Sequence, residues 1–165
     1  MRSIEEKIYF NWYNLKRVVE KYRSFSKIIG FTNGCFDILH KGHVLYLNEA
    51  KKYCDILIVA LNSDESVKLI KGSNKPVNNL EDRMYIVASL ESVDFVTFFN
   101  EATPVNLIEY ILPDIVFKGG DYKDKEIPEL DVIYKHNISF KTLIFVENIS
   151  TTKIIKDILI KFGGE

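Results

Sequence analysis

Ile28-Ile29-Gly30-Phe31-Thr32-Asn33-Gly34-Cys35-Phe36-Asp37-Ile38-Leu39-His40-Lys41-Gly42-His43 begins as a short apolar burst and passes into a turn-rich stretch. Val44, Leu47, Ala50 and Cys54 then mark one face of a helix. Further bursts rich in β-branched or aromatic residues lie at 56–61, 95–99, 115–117 and 140–146, the composition of buried strands. Helical stripes fall between or after them: Leu80, Met84, Val87 and Leu90; Val105, Ile108 and Leu112; Ile155, Ile158 and Phe162. Thr103-Pro104 starts the second of these and Pro113 closes it. Parallel neighbours need crossover connections, which are usually helical, so the alternation predicts an α/β, doubly wound, mostly parallel five-stranded sheet with helices on both faces. Ahead of it, Ile4, Ile8, Trp12, Leu15, Val19 and Tyr22 predict an amphipathic helix within residues 1–25, packed on that sheet.

With 165 residues, 47% hydrophobic and 27% charged, a single domain spanning 1–165 with a full core is expected. Twenty-two basic residues against 23 acidic give a formal net charge of −1, which supplies no global field for nucleic acid. The longest apolar run, 56–61, is far short of the roughly 20 residues that cross a bilayer, and the first thirty residues are studded with charge, so a cytoplasmic protein without a membrane partner is expected. Two cysteines, Cys35 and Cys54, form no disulfide or metal pattern, as suits a reducing compartment.

In doubly wound sheets ligands sit beyond the carboxyl ends of the strands, which directs attention to four segments. The first holds His40 and His43 around Gly42 where strand gives way to helix. Gly34 allows a tight turn, Gly42 a close backbone approach, and the helix start favours an anion, so a phosphate site is expected here. A zinc site would need a third ligand at metal-like spacing, and a pair of capping histidines is the plainer alternative. The second segment, Asn62-Ser63-Asp64-Glu65-Ser66-Val67-Lys68-Leu69-Ile70-Lys71-Gly72, reads by itself as a capped short helix with solvated lysines. The third, Lys118-Gly119-Gly120-Asp121-Tyr122, is a bare turn or a loop whose backbone reads a base edge. The fourth, Ser150-Thr151-Thr152, offers N-cap hydroxyls at the last helix.

His40-Lys41-Gly42-His43 resembles the His-x-Gly-His signature of the nucleotidyltransferase superfamily, which implies a Rossmann-like sheet. The longer string Thr32 to His40, the 66–72 loop and Lys118 to Tyr122 resemble more narrowly the heptose 1-phosphate adenylyltransferases, and Ile149-Ser150-Thr151-Thr152 resembles the superfamily's Ile-Ser-Thr-Thr motif. The resemblance covers about residues 10 to 160 and implies transfer of AMP from ATP to D-glycero-β-D-manno-heptose 1-phosphate, giving ADP-heptose and pyrophosphate for bacterial lipopolysaccharide core precursors. It implies catalytic roles for His40, His43 and Lys71. Nucleotide or phosphate contacts fall to Asn33, Gly34, Cys35, Phe36, Lys118, Gly119, Ser150, Thr151 and Thr152, and acceptor contacts to Asp37, Asn62, Asp64, Arg83 and Asp121. Mg²⁺ is expected on the ATP phosphates rather than in a protein cage, a separate kinase is expected to supply the sugar phosphate, and a homodimer is expected by analogy. The alternatives are a cytidylyltransferase acting on a polyol or amino-alcohol phosphate, disfavoured because Phe145-Val146 replaces an Arg-Thr pair, and a nucleotide-binding module without chemistry.

Overall fold

A computed structural model describes residues 2–120, 127–143 and 150–163. Among them five strands, β1 (Ile29–Gly34), β2 (Ile56–Asn62), β3 (Phe95–Phe99), β4 (Ile115–Gly119) and β5 (Ser139–Leu143), form one parallel sheet in the order β3-β2-β1-β4-β5. The chain builds outward from β1 to β3 and returns to lay β4 and β5 on the other side. The boundary between β1 and β4 is therefore the topological switch point, where the connections leave to opposite faces and a crevice opens.

Side-chain alternation along the strands fills two cores. Leu57, Val59 and Leu61 of β2 point to the face covered by α2 (Lys41–Lys51) and α4 (Leu80–Ala88), where Leu47, Met84 and Val87 are buried with them. Ile56, Ile58 and Ala60 point to the opposite face, packed by α1 (Trp12–Ser24), α5 (Val105–Ile111) and α6 (Leu130–Lys135) through Leu15, Val19, Leu107, Ile108 and Ile133. β4 obeys the same rule, with Phe117 in the first core and Val116 in the second. Both faces are covered, as the near-continuous apolar strands predict.

Several boundaries differ from expectation. The apolar stripe from Ile4 to Tyr22 is not one helix: a 3₁₀ turn (Glu5–Lys7) is followed by an extended link in which Ile8 bridges Val96 and the Tyr9 N–H donates to the Val96 carbonyl at 2.8 Å. Asn11, extended at φ −124°, then caps α1 by accepting the N–H groups of Tyr13 and Asn14. That cap, with the edge of β3 next to it, is why the helix starts at Trp12 and not before. α5 ends at Leu112 in the left-handed region, its N–H donating to the Ile108 carbonyl, with Pro113 beyond it. α3 (Asp64–Lys71) forms behind the Ser63 cap, whose hydroxyl oxygen accepts the Ser66 N–H. α6 had no signal in the periodicity. α7 (Thr151–Phe162) forms, but its stripe does not sink into the core: Ile158 and Phe162 remain exposed, and no helix residue of α7 is buried among the described ones. Residues 144–146 of the expected last strand lie outside the described residues. Among the described residues no helix is long and apolar enough to cross a membrane.

Candidate active site

The carboxyl ends of β1 and β4 open into a cavity of about 420 Å³. The turn off β1 builds its centre. Gly34 continues the strand, and a side chain there would strike the Phe36 ring at 2.9 Å. Phe36, not Gly34, takes the left-handed conformation that turns the chain, at φ +45°. Its ring lies 5.1 Å from the His43 ring, and His43 in turn stacks on His40 with centroids 3.9 Å apart and planes 25° apart.

The two imidazoles are not equivalent. His43 lines the cavity, whereas His40, the N-cap of α2, is nearly buried and packs behind it. The His40 backbone N–H donates to His43 Nδ1 at 3.4 Å, which assigns the proton of the neutral ring to Nε2 and leaves that atom as a donor. Burial, then His40, then Lys71 push the His43 pKa down to about 4, and burial also lowers that of His40. His43 is thus a neutral donor at pH 7. Lys71, at the end of α3, and Thr151, in the first turn of α7, line the same cavity. Thr151 Oγ1 also donates to the Ile38 carbonyl at 3.3 Å and Lys75 Nζ to Thr152 Oγ1 at 3.3 Å, tying the start of α7 to the loops after β1 and α3.

Of the other expected residues, Asn33, Gly34, Cys35, Phe36, Asp37, Asn62, Lys118 and Gly119 also line the cavity. Asp37 Oδ1 accepts the N–H groups of Val77 and Asn78, and the Cys35 thiol lies 3.8 Å from Asn62 Oδ1. Ser150, whose hydroxyl accepts the Lys153 N–H, and Thr152 stand beside the cavity rather than in its wall. Asp121 lies outside the described residues.

Arg83, expected among the acceptor contacts, stands behind the cavity wall and not in it. It has no exposed surface and its guanidinium is spent internally: Nη1 donates to the carbonyls of Cys35 and Asn62, Nε to that of Asn78, and Nη2 to Asp64 Oδ1 at 2.6 Å. It braces the segments that carry the site from outside the cavity wall, held by four acceptors in the loop after β1, the end of β2, the start of α3 and the loop before α4. Asp64, held by Arg83, likewise stands outside the cavity wall. Sequence reading missed Glu129, which stands at the N-cap position of α6, lines the cavity, and pairs with Lys118 at 2.6 Å. An isolated Glu after Pro128 carries no local signal; only the crossover from β4 through α6 brings it to the site.

A known protein family described as cytidylyltransferase-like matches residues 31–157, which span β1 to the middle of α7 and every cavity-lining motif. The chain belongs to this cytidylyltransferase-like family. The match supports a nucleotidyltransferase domain, and the His-x-Gly-His turn lies within the matched residues. The chain is 49% identical over 144 residues to bifunctional protein HldE of Aliarcobacter butzleri (strain RM4018), covering 87% of this chain and 29% of that protein. It is 50% identical over 144 residues to bifunctional protein HldE of Actinobacillus pleuropneumoniae serotype 5b (strain L20), covering 87% and 30%. The chain therefore spans under a third of the length of these relatives. Among solved structures, the lipopolysaccharide core biosynthesis protein from Thermoplasma volcanium GSS1 superposes with a TM-score of 0.59 at 28% identity, covering 74% of this chain and 99% of that one. Pantothenate synthetase from Thermus thermophilus superposes with a TM-score of 0.63 at 10% identity over 90% and 67%, a likeness of fold alone. The cytidylyltransferase-like assignment and the doubly wound sheet thus agree.

Proposed function

We propose that this domain transfers AMP from ATP to D-glycero-β-D-manno-heptose 1-phosphate, forming ADP-heptose and pyrophosphate for lipopolysaccharide core assembly. Half-identity to the HldE relatives and the lipopolysaccharide core role named for one structural neighbour support the sugar, as does the narrow likeness of residues 32–40, 66–72 and 118–122. The observation that carries the reaction class is His43: a neutral imidazole whose Nε2–H donor sits at the switch point, with Lys71 and the start of α7 around the same cavity.

The acceptor phosphate oxygen is already anionic at pH 7, so no base need remove a proton. It attacks the α-phosphorus, a new P–O bond forms, the bond to the β-phosphate oxygen breaks, and pyrophosphate leaves with the electron pair. Catalysis is then positioning plus neutralisation of charge on the leaving group. His43 Nε2 donates to phosphate oxygen, Lys71 supplies full positive charge, and the first turns of α2 and α7 supply oriented backbone dipoles. His40 supports the His43 ring by stacking on it. A divalent cation would be held by the phosphate oxygens of ATP, the hard ligands it prefers, and would supply further neutralisation of their charge. Among the described residues no group of three or more His, Cys, Asp or Glu is placed to cage a metal ion.

The test is pyrophosphate release by the purified protein with Mg²⁺, each of ATP, CTP, GTP and UTP, and a panel of sugar and polyol phosphates. ATP with the heptose 1-phosphate is expected to be the best pair, and His43→Ala to lower its turnover by roughly 10²-fold or more without unfolding the protein. Release only from CTP with a polyol phosphate, or none from ATP with any heptose phosphate, overturns the proposal.

A further inference from the structure

The cavity crosses the edge of the sheet, and its two ends belong to opposite faces. His43 comes from α2 and Thr151 from α7, which is tied to the loop beneath α2. By strand alternation Asn33 follows Ile29 and Phe31, and Lys118 follows Val116, onto the face packed by α1, α5 and α6. Glu129 arrives on that face from the start of α6. There Lys118 Nζ donates both to Asn33 Oδ1 at 2.8 Å and to Glu129 Oε1 at 2.6 Å. Glu129 is 3% exposed and the Lys118 side chain 13%, yet both border the cavity.

This pairing changes what Lys118 can do. A solitary lysine at this end would draw phosphate; compensated by a carboxylate it is part of a neutral unit, and the acceptor-only carboxylate repels phosphate oxygens. The polyphosphate is left to the α2 and α7 end. What a carboxylate beside an anionic ligand can accept is a neutral hydroxyl, and the nucleotide supplies two on its ribose. Apolar Ile127 and Pro128 alongside suit the sugar and base better than they suit phosphate. Resting on the functional reading above, we infer that Glu129 is a specificity-determining residue that accepts the ribose hydroxyls of the incoming nucleotide, and that Lys118 acts as its positioning residue.

The test compares ATP, 2′-deoxy-ATP and 3′-deoxy-ATP, both as substrates with the heptose 1-phosphate and as ligands by calorimetry. The proteins are the unaltered chain, Glu129→Gln, Glu129→Asp and the double variant Lys118→Gln/Glu129→Gln. The double variant removes both charges together, so no uncompensated ion is left buried if the single change impairs folding. Unaltered protein is expected to prefer ATP over at least one deoxy analogue by about 10-fold or more, because a site built around a hydroxyl rejects its absence. Glu129→Gln and the double variant are expected to reduce that ratio to about 2-fold or less, with partial recovery in Glu129→Asp. A purely structural carboxylate would weaken all three nucleotides together and leave the ratio unchanged. An unchanged ratio, or a change confined to the KM of the sugar phosphate, overturns this inference alone. Failure of unaltered protein to bind ATP overturns the functional reading and this inference with it.

Discussion

His43 illustrates how one backbone hydrogen bond sets a chemical role. The His40 N–H occupies Nδ1, so the cavity meets an N–H donor and not a lone pair. Because burial, His40 and Lys71 lower its pKa to about 4, the folded ring stays neutral where an unfolded one, with its ordinary value of 6.5, gains a proton. Between those values the unfolded chain binds more protons, so the His43 contribution to stability is intact above about pH 6.5 and is lost as pH falls toward 4. Proton NMR of the free protein is expected to show the His43 ring still neutral at about pH 5.5, between those two values, with a lower midpoint that rises when nucleotide places negative charge beside it. A midpoint near 6.5 in the free protein would contradict this environment. The place of His43 at the cavity was legible because four adjacent residues carry the motif. The separation of roles between the rings was not, since it depends on how each packs.

Arg83 shows what sequence hides at the scale of elements. From α4 it reaches the carbonyls at the end of β2 and in the loop after β1, and it grips Asp64 at the start of α3. Its partners are 48, 21 and 19 positions away, and local patterning holds no record of them. Arg83→Met is expected to cost about 3 kcal/mol in urea denaturation, because it strips Asp64 and buried carbonyls of their donor together. Arg83→Lys should recover little, since an ammonium cannot reproduce the planar fork. A loss under about 0.5 kcal/mol would show that the brace is dispensable. The strands, by contrast, were legible: bursts of β-branched and aromatic residues too short for buried helices mark β1 to β4. The N-terminal stripe misled because residues that pack on an edge strand and residues that line a helix fell by chance into one period, and only the Asn11 cap separates them.

For the whole molecule, alternation of strand and helix was enough for the class of fold, while the order β3-β2-β1-β4-β5 was not written in any one segment. That order matters most to function. It puts β1 beside β4, so the His-x-Gly-His turn and the Lys118–Glu129 pair share a cavity, although Lys118 and the Asn33 it bonds there are 85 positions apart in the chain. On the proposed reading, one face of the sheet contributes the groups that hold phosphate and the other the pair that accepts hydroxyls, a division that gives a nucleotide a single sensible orientation across the switch point. The most direct measurement is a crystal structure with Mg²⁺ and an ATP analogue that resists cleavage at the α-phosphorus. The account predicts phosphate oxygens within hydrogen-bond reach of His43 Nε2 and the first turn of α7, and the ribose on the Glu129 side. A polyphosphate bound away from the β1–β4 edge, or His43 turned away from it toward the core, would contradict the account.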